Sequence, residues 1–454
     1  MSTSQEYIEL FKENENLLGK ASPSFMKEIR QDAMDHFSKT GIPDRKSELY
    51  KYTSIQKLFE PEYSLQLQPS KVDFKVEELF ACDVPNLKTR LEIILNGFYL
   101  REESGLTRLD NGIIIGSLAE ALRQHPDLVK KHFAKHAGAR TDGLVDLNTA
   151  FALDGLFIYV PKGQVLEEPV QVVHLPMTGL DTLLHYRNLF ILEDNASAGV
   201  IVCDHTLSPF RFLTNSVTEI YAGQGARFHY SRVQNEHLNS NLLTNLFIQQ
   251  EKDSQVKSNT ISLHGGTIRN NTHVLLDAEG CDSQIYGLSF ADRSQHIDNY
   301  VNVDHAKSNC TSTQLFKGIL DEQATGAFNG RILVRPDAQK TLAYQTNNNI
   351  LMSDEAKMNS KPQLEIYADD VRCSHGATTG QLDENALFYM QSRGIPRQEA
   401  RLLMLYAFAH EVIDKIEVIP LKDRINHLVN KRLRGEFSRC NNCSMACGDI
   451  PLPI

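Results

Sequence analysis

The chain has no tryptophan, and only 8 of its 454 residues are cysteine. No apolar run approaches the roughly 20 residues that a membrane-spanning helix needs. Basic residues do not dominate either: 47 Lys and Arg stand against 57 Asp and Glu, a net charge of −10, and no Lys/Arg run stands out. A protein that neutralises a phosphate backbone needs the opposite balance, so neither nucleic acid nor a membrane is an expected partner. The phosphate-binding pattern Gly-x-x-x-x-Gly-Lys-Ser/Thr is missing, as are Gly-x-Ser-x-Gly and His-Glu-x-x-His, so the chain is not expected to hydrolyse ATP or act as an enzyme by these routes. The first residues, MSTSQEYIELFKENENLL, are acidic and amphipathic, unlike a signal or transit peptide. A cytoplasmic location follows, in which the cysteines stay reduced and are buried small side chains, metal ligands or redox thiols.

What is present is ordinary soluble-protein composition, 41% hydrophobic and 23% charged, in a chain long enough for two or three domains. Tyr7, Leu10, Phe11, Leu17 and Leu18 keep helical spacing up to Gly19, and Ser22-Pro23 signals a second helix carrying Phe25, Ile29, Ala33 and Phe37. From Leu91 the texture changes to short strands. A helical insertion from Leu118 to about His136 interrupts them, opened by Ser117 with Glu120 at capping-box spacing. Beyond it, small residues recur at Ala196, Ala226, Ser254, Cys281, Cys310, Ala338 and Ala368, spaced by 30, 28, 27, 29, 28 and 30. A fixed period in a strand-rich region predicts stacked coils, a β-helix or solenoid, with an irregular sandwich as the alternative. The last coil of such a stack exposes its backbone edge, which must be capped or paired.

The coils run into LEIYADDVRCSHGATTGQLDENALFYMQSRGI, Leu364 to Ile395. Leu364, Ile366 and Ala368 alternate with Glu365 and Tyr367, as in a strand. Cys373 and His375 then put a thiol and an imidazole two residues apart, on one face if the segment is extended. Soft and borderline metals favour such donors, but two ligands make only half a site, so a second surface completes it or the pairing is coincidental. This stretch resembles the C-terminal segment of the SufB/SufD family of iron-sulfur cluster assembly proteins, with Thr379 and Met390 replacing a usual Val and Leu. ELYKYTSI, Glu48 to Ile55, is similar to another family segment, with Tyr50 where a Trp is usual. SRVQNE (Ser231 to Glu236), RPDAQKTLAYQTNNNILMS and KPQLEIYADDV follow the SufD branch.

The resemblance implies a right-handed parallel β-helix core flanked by helical regions: an N-terminal domain over 1–90, the core over 91–372 and a C-terminal domain over 373–454. It also implies a scaffold that pairs with a SufB-like paralogue, docks a SufC-like ABC ATPase, and is served indirectly by a cysteine desulfurase. A transient iron-sulfur cluster shared with SufB would form near His375, with Cys373 beside it. The ATPase would dock on the C-terminal helices around Leu387, Phe388, Tyr389, Arg393, Gly394 and Ile395. From the residues themselves, Asp383 caps a first helix that Gly394 ends, and Pro396 opens a second with an apolar stripe of Ala400, Leu403, Ala407 and Phe408. A third, Leu421 to Leu433, turns Ile425 and Leu428 inward and gathers Lys431, Arg432 and Arg434 at its end.

The tail CNNCSMACGDIPLPI carries Cys440, Cys443 and Cys447 at C-x2-C-x3-C spacing, which suits transient Fe, Zn or cluster binding but lacks a fourth ligand. Cys203, Cys281 and Cys310 read as packing residues. His264, His273, His296 and His305 alternate with Asn and Asp as the lining of a polar surface or tunnel would. Two other functions remain open: a homodimeric scaffold working without SufB, since edge pairing is self-compatible, and a carbohydrate-active β-helix enzyme, for which no paired-carboxylate signature is found.

Overall fold

The computed structural model describes residues 3–20, 23–70, 88–100, 105–137, 142–206 and 208–435. The expected cap at Ser22 and the cysteines of the tail lie outside them. The chain opens with helices α1 (Thr3–Lys20), α2 (Ser24–Thr40) and α3 (Ile55–Leu58). Short strands follow: β1 (Ser64–Leu65), β2 (Arg90–Leu95), β3 (Phe98–Leu100), β4 (Leu106–Arg108) and β5 (Ile114–Ser117). The helical insertion is α4 (Leu118–Gln124) and α5 (Pro126–His132), and the Ser117 side chain accepts from the backbone N–H of Glu120 as its spacing predicts. A further helix, α6 (Gly143–Phe151), is buried along its whole length.

The core that follows is a parallel solenoid. One sheet carries β6 (Leu156–Val160), β8 (Thr182–Leu192), β10 (Phe212–Ala222), β12 (Ser240–Gln250), β14 (Thr267–Leu276), β16 (His296–His305), β18 (Thr325–Val334) and β20 (Lys357–Ile366). The other carries β7 (Val170–Leu175), β9 (Ser197–Asp204), β11 (Arg227–Asn235), β13 (Gln255–His264), β15 (Asp282–Ala291), β17 (Thr311–Leu320), β19 (Thr341–Leu351) and β21 (Val371–Gly380). Consecutive strands alternate between the sheets, so each coil contributes one strand to each and pairs in parallel with the coils above and below. Antiparallel pairs β2–β3 and β4–β5–β6 finish the first end.

The repeat has a local cause. Asn195, Gly225, Asp253, Gly280 and Asn309 adopt positive φ (50s to 70s of degrees), and each immediately precedes one of the small residues Ala196, Ala226, Ser254, Cys281 and Cys310. Gly, Asn and Asp tolerate this conformation best. It turns the chain into the next strand and leaves the following side chain buried in the corner, 0–1% exposed, where only a small group fits. Between the sheets, residues such as Phe190, Val202, Phe228, Ile248 and Phe328 fill the interior. Toward the last coils amides replace them: Gln345 donates to Gln314 at 2.8 Å and Asn349 to Asn347 at 2.8 Å.

The C-terminal helices α7 (Glu384–Ser392), α8 (Arg397–Ile413) and α9 (Ile419–Leu433) follow β21, which runs across residue 373, so the expected domain break falls inside a strand. The stripe predicted on α8 is corrected: Ala400 is buried, but Leu403 and Ala407 are exposed, and Leu405, Ala409, Val412 and Ile413 make the buried face. The helix carries apolar residues on most of its circumference, so spacing alone did not fix which side meets the sheet. That side packs on Ile261, Leu288, Phe290 and Ile319 of the solenoid, together with Leu421, Ile425 and Leu428 of α9.

Candidate functional site

The solenoid's far end is where two strands run out of partners. β20 pairs only with β18, and β21 only with β19. β20 is blunted by Pro362, Lys357 and Lys361, whereas β21, VRCSHGATTG, contains no proline or lysine, and from Ser374 to Gly380 every residue is exposed. Pro and Lys are the usual protection of a sheet edge, so β21 is an open hydrogen-bonding template.

On that strand Cys373 lies in register with Ala343 and His375 with Gln345. Both neighbours face the interior, so the thiol and the imidazole stand on the inward face of the uncovered coil, two residues apart as the spacing requires. Their surroundings differ. Cys373 is half-buried against Ile332, Ala338 and Ala343, and burial pushes its thiol pKa up. His375 is exposed above Gln345, whose side chain fits because Gly330 lies opposite: a Cβ there would meet its Nε2 at 2.3 Å. Among the described residues no group of three or more His, Cys, Asp or Glu is arranged to hold a metal.

The helices beyond display a second surface. Asp383 accepts from the N–H of Asn385 at 2.9 Å, starting α7, and Gly394 at φ 85° ends it. Leu387 is 1% exposed and anchors the helix, whereas Phe388 and Tyr389 are 73% and 60% exposed. The Arg393 guanidinium lies 5.3 Å from the Tyr389 ring centre, and Gly394 is exposed beside the half-buried Ile395. α8 and α9 are fastened to the solenoid by contacts that no motif announces. Lys317, buried on β17, donates to the Phe408 carbonyl at 3.1 Å, pairs with Glu411 and lies 4.3 Å from the Phe408 ring centre. Arg432 donates to Asp292 at 2.5 Å and to the Leu263 carbonyl and Gln295 at 3.1 Å.

At the other flank the segment Glu48 to Ile55 crosses the outer face of the first sheet. Tyr50 donates to Asp142 at 2.5 Å and stacks under Arg269, whose guanidinium is 4.8 Å from the ring centre. Arg269 also donates to the Leu49 carbonyl at 2.9 Å, and Thr53 bonds to His296 at 2.8 Å. Glu48 reaches Lys361 on β20, the edge strand of that sheet. The four histidines predicted to line one surface are scattered: His296 lies under Thr53, His273 stacks on Phe247, His264 bonds to the Glu236 carbonyl, and His305 is inside, bonded to Ser312. Cys281 and Cys310 pack in their corners, both directed at the Ala278 carbonyl, while Cys203 is half-buried on β9.

Comparison with known proteins decides what this architecture belongs to. The family model described as SUF system FeS cluster assembly, SufBD core domain, matches residues 176–408, just over half the chain, and the SufBD protein N-terminal region model matches residues 1–172. The chain belongs to the SufBD family. It is 29% identical to an iron-sulfur cluster assembly SufBD family protein of Synechocystis, over 89% of this chain and 90% of the relative. It is also 29% identical to the iron-sulfur cluster assembly protein SufD of Escherichia coli (92% and 94% covered) and 26% identical to SufD of Bacillus subtilis (96% and 99%). Membership in this SufBD family supports a role in SUF-system cluster assembly, and the parallel solenoid with helices at both ends is the fold the resemblance implied. Among the described residues no helix is long and apolar enough to cross a membrane.

Proposed function

We propose that the chain is a non-catalytic scaffold subunit of an iron-sulfur cluster assembly complex, and that it pairs through β21 with a SufB-like paralogue. The observation that carries this reading is the unprotected edge itself, which bears His375 on its last coil. An added strand would bury exposed backbone groups while bringing a second set of donors to His375 and Cys373. The nascent cluster is the cargo of that shared site, held transiently, and two ligands from this chain leave room for others from the partner. Phe388 and Tyr389, with Arg393, Gly394 and Ile395 beside them and Leu387 as their anchor, dock the SufC-like ATPase, which supplies ATP hydrolysis. The tail cysteines Cys440, Cys443 and Cys447 are a separate, transient Fe or Zn site.

The test is co-expression of the tagged chain with a SufB-like and a SufC-like protein, followed by iron and sulfide analysis of what co-purifies. A three-component complex that carries cluster, and loses most of it with His375→Ala at unchanged subunit ratio, is the expected result. Full cluster content in that variant refutes the His375 role. A chain that self-associates and ignores both partners favours the homodimer, since the same edge is complementary to a second copy. For the tail, truncation after Arg439 should lower the metal content of the isolated chain, and unchanged metal removes the tail from the mechanism.

A further inference from the structure

Between α8, the end of α9 and the outer face of the second sheet lies a cleft of about 550 Å³, within the size range of small-molecule sites. Its floor is apolar, built from Phe290, Ile319, Leu405 and Met352, and its rim holds Arg397, Arg401 and Arg432 with Asp292 and Asp321.

The charges on this rim do not all cancel. Arg432 is consumed by Asp292, Gln295 and the Leu263 carbonyl. Arg397 grips Glu384 with both terminal nitrogens, at 2.8 and 3.0 Å. Asp321 accepts the backbone N–H of Glu322. Arg401 forms no hydrogen bond or ion pair among the described residues, although it is half-buried at the cavity wall; the carboxylate it acts on, Glu384, is already gripped by Arg397. A partly desolvated guanidinium beside an apolar floor is costly unless an anion reaches it.

We propose that this cleft is a binding site for a small monocarboxylate with an apolar body. The carboxylate is held by the paired donors of Arg401, and the body lies on Phe290, Ile319 and Leu405. Asp321 on the same rim repels a second negative charge, so a singly charged head is preferred to a phosphate dianion. The site is independent of the open edge at β21, and its test does not require a partner protein.

The probe is octanoate, titrated calorimetrically into the full chain, with octanol as the uncharged control and octyl phosphate as the dianionic one. Octanoate should bind best, and Arg401→Gln should weaken it about tenfold or more, as loss of a charge-assisted pair does, with the melting temperature unchanged. Asp321→Asn should narrow the gap between octyl phosphate and octanoate. Absence of octanoate binding at millimolar concentration overturns the proposal. So does equal affinity of octanoate for the native chain and Arg401→Gln, or equal binding of octanol.

Discussion

Single residues set how this fold responds to pH. His185 is buried without a charged neighbour, and burial alone pushes its pKa down to about 3. His305 and His273 are pushed down to about 4, the latter by burial and then by Arg269. An unfolded histidine titrates near 6.5, so between about pH 6.5 and 4 the unfolded chain binds protons that the folded chain refuses. Stability therefore falls as pH drops through that window and is fully present above it. Urea unfolding midpoints measured from pH 7.5 to 4.5 should decline, and His185→Phe should flatten the decline; a midpoint independent of pH would contradict the burial argument. At this scale the sequence was readable where chemistry is local: the recurring small residues, Ala196 or Cys281 among them, mark the corners, whereas the left-handed residue before each came only with the structure. Arg401 and Lys317 gave no such signal, because Lys317 meets partners 91 and 94 positions away and Arg401 lines a cleft that forms only after folding.

The C-terminal helices separate into an anchored side and an offered side. Leu387→Asp puts a charge into a fully buried position and should destabilise the chain by several kcal/mol, seen as a lower melting temperature. Phe388→Asp alters a side chain already in water and should leave the melting temperature within about a degree or two. It should still reduce capture of the SufC-like ATPase several-fold. Unaltered capture by Phe388→Asp would remove α7 from the docking surface. Sequence periodicity found α7, α8 and α9 with their caps, since Asp383, Gly394 and Pro396 act within one turn. It misassigned the buried face of α8 because Leu403 and Leu405 are equally apolar, and only the position of β15 and β17 decides between them. The clasp of Tyr50 on Arg269 was legible as a motif but not as a contact, because its partners are Asp142, just before α6, and residues of the solenoid strand β14.

As a whole, the molecule is a stack whose neighbours hold one another, open at one end and fastened along its flank by Lys317 and Arg432. Its repeat could be counted from the corners in the sequence, whereas the parallel pairing that joins coil to coil is not encoded within any one of them. The same one-coil periodicity governs its mechanics. Pulled by its termini, such a stack gives up length in steps, since each coil contacts only the next. A coil of about 28 residues extends to roughly 100 Å at ~3.5 Å per residue. Optical-tweezer traces should therefore show a ladder of rips of that size, beginning with the β20–β21 coil, which has a neighbour on one side only. One large rip would instead mean that the flanking helices bind the coils into a single mechanical unit. Because a partner strand laid on β21 gives the terminal coil its second neighbour, the force at the first rip becomes a gauge of whether the subunit is engaged.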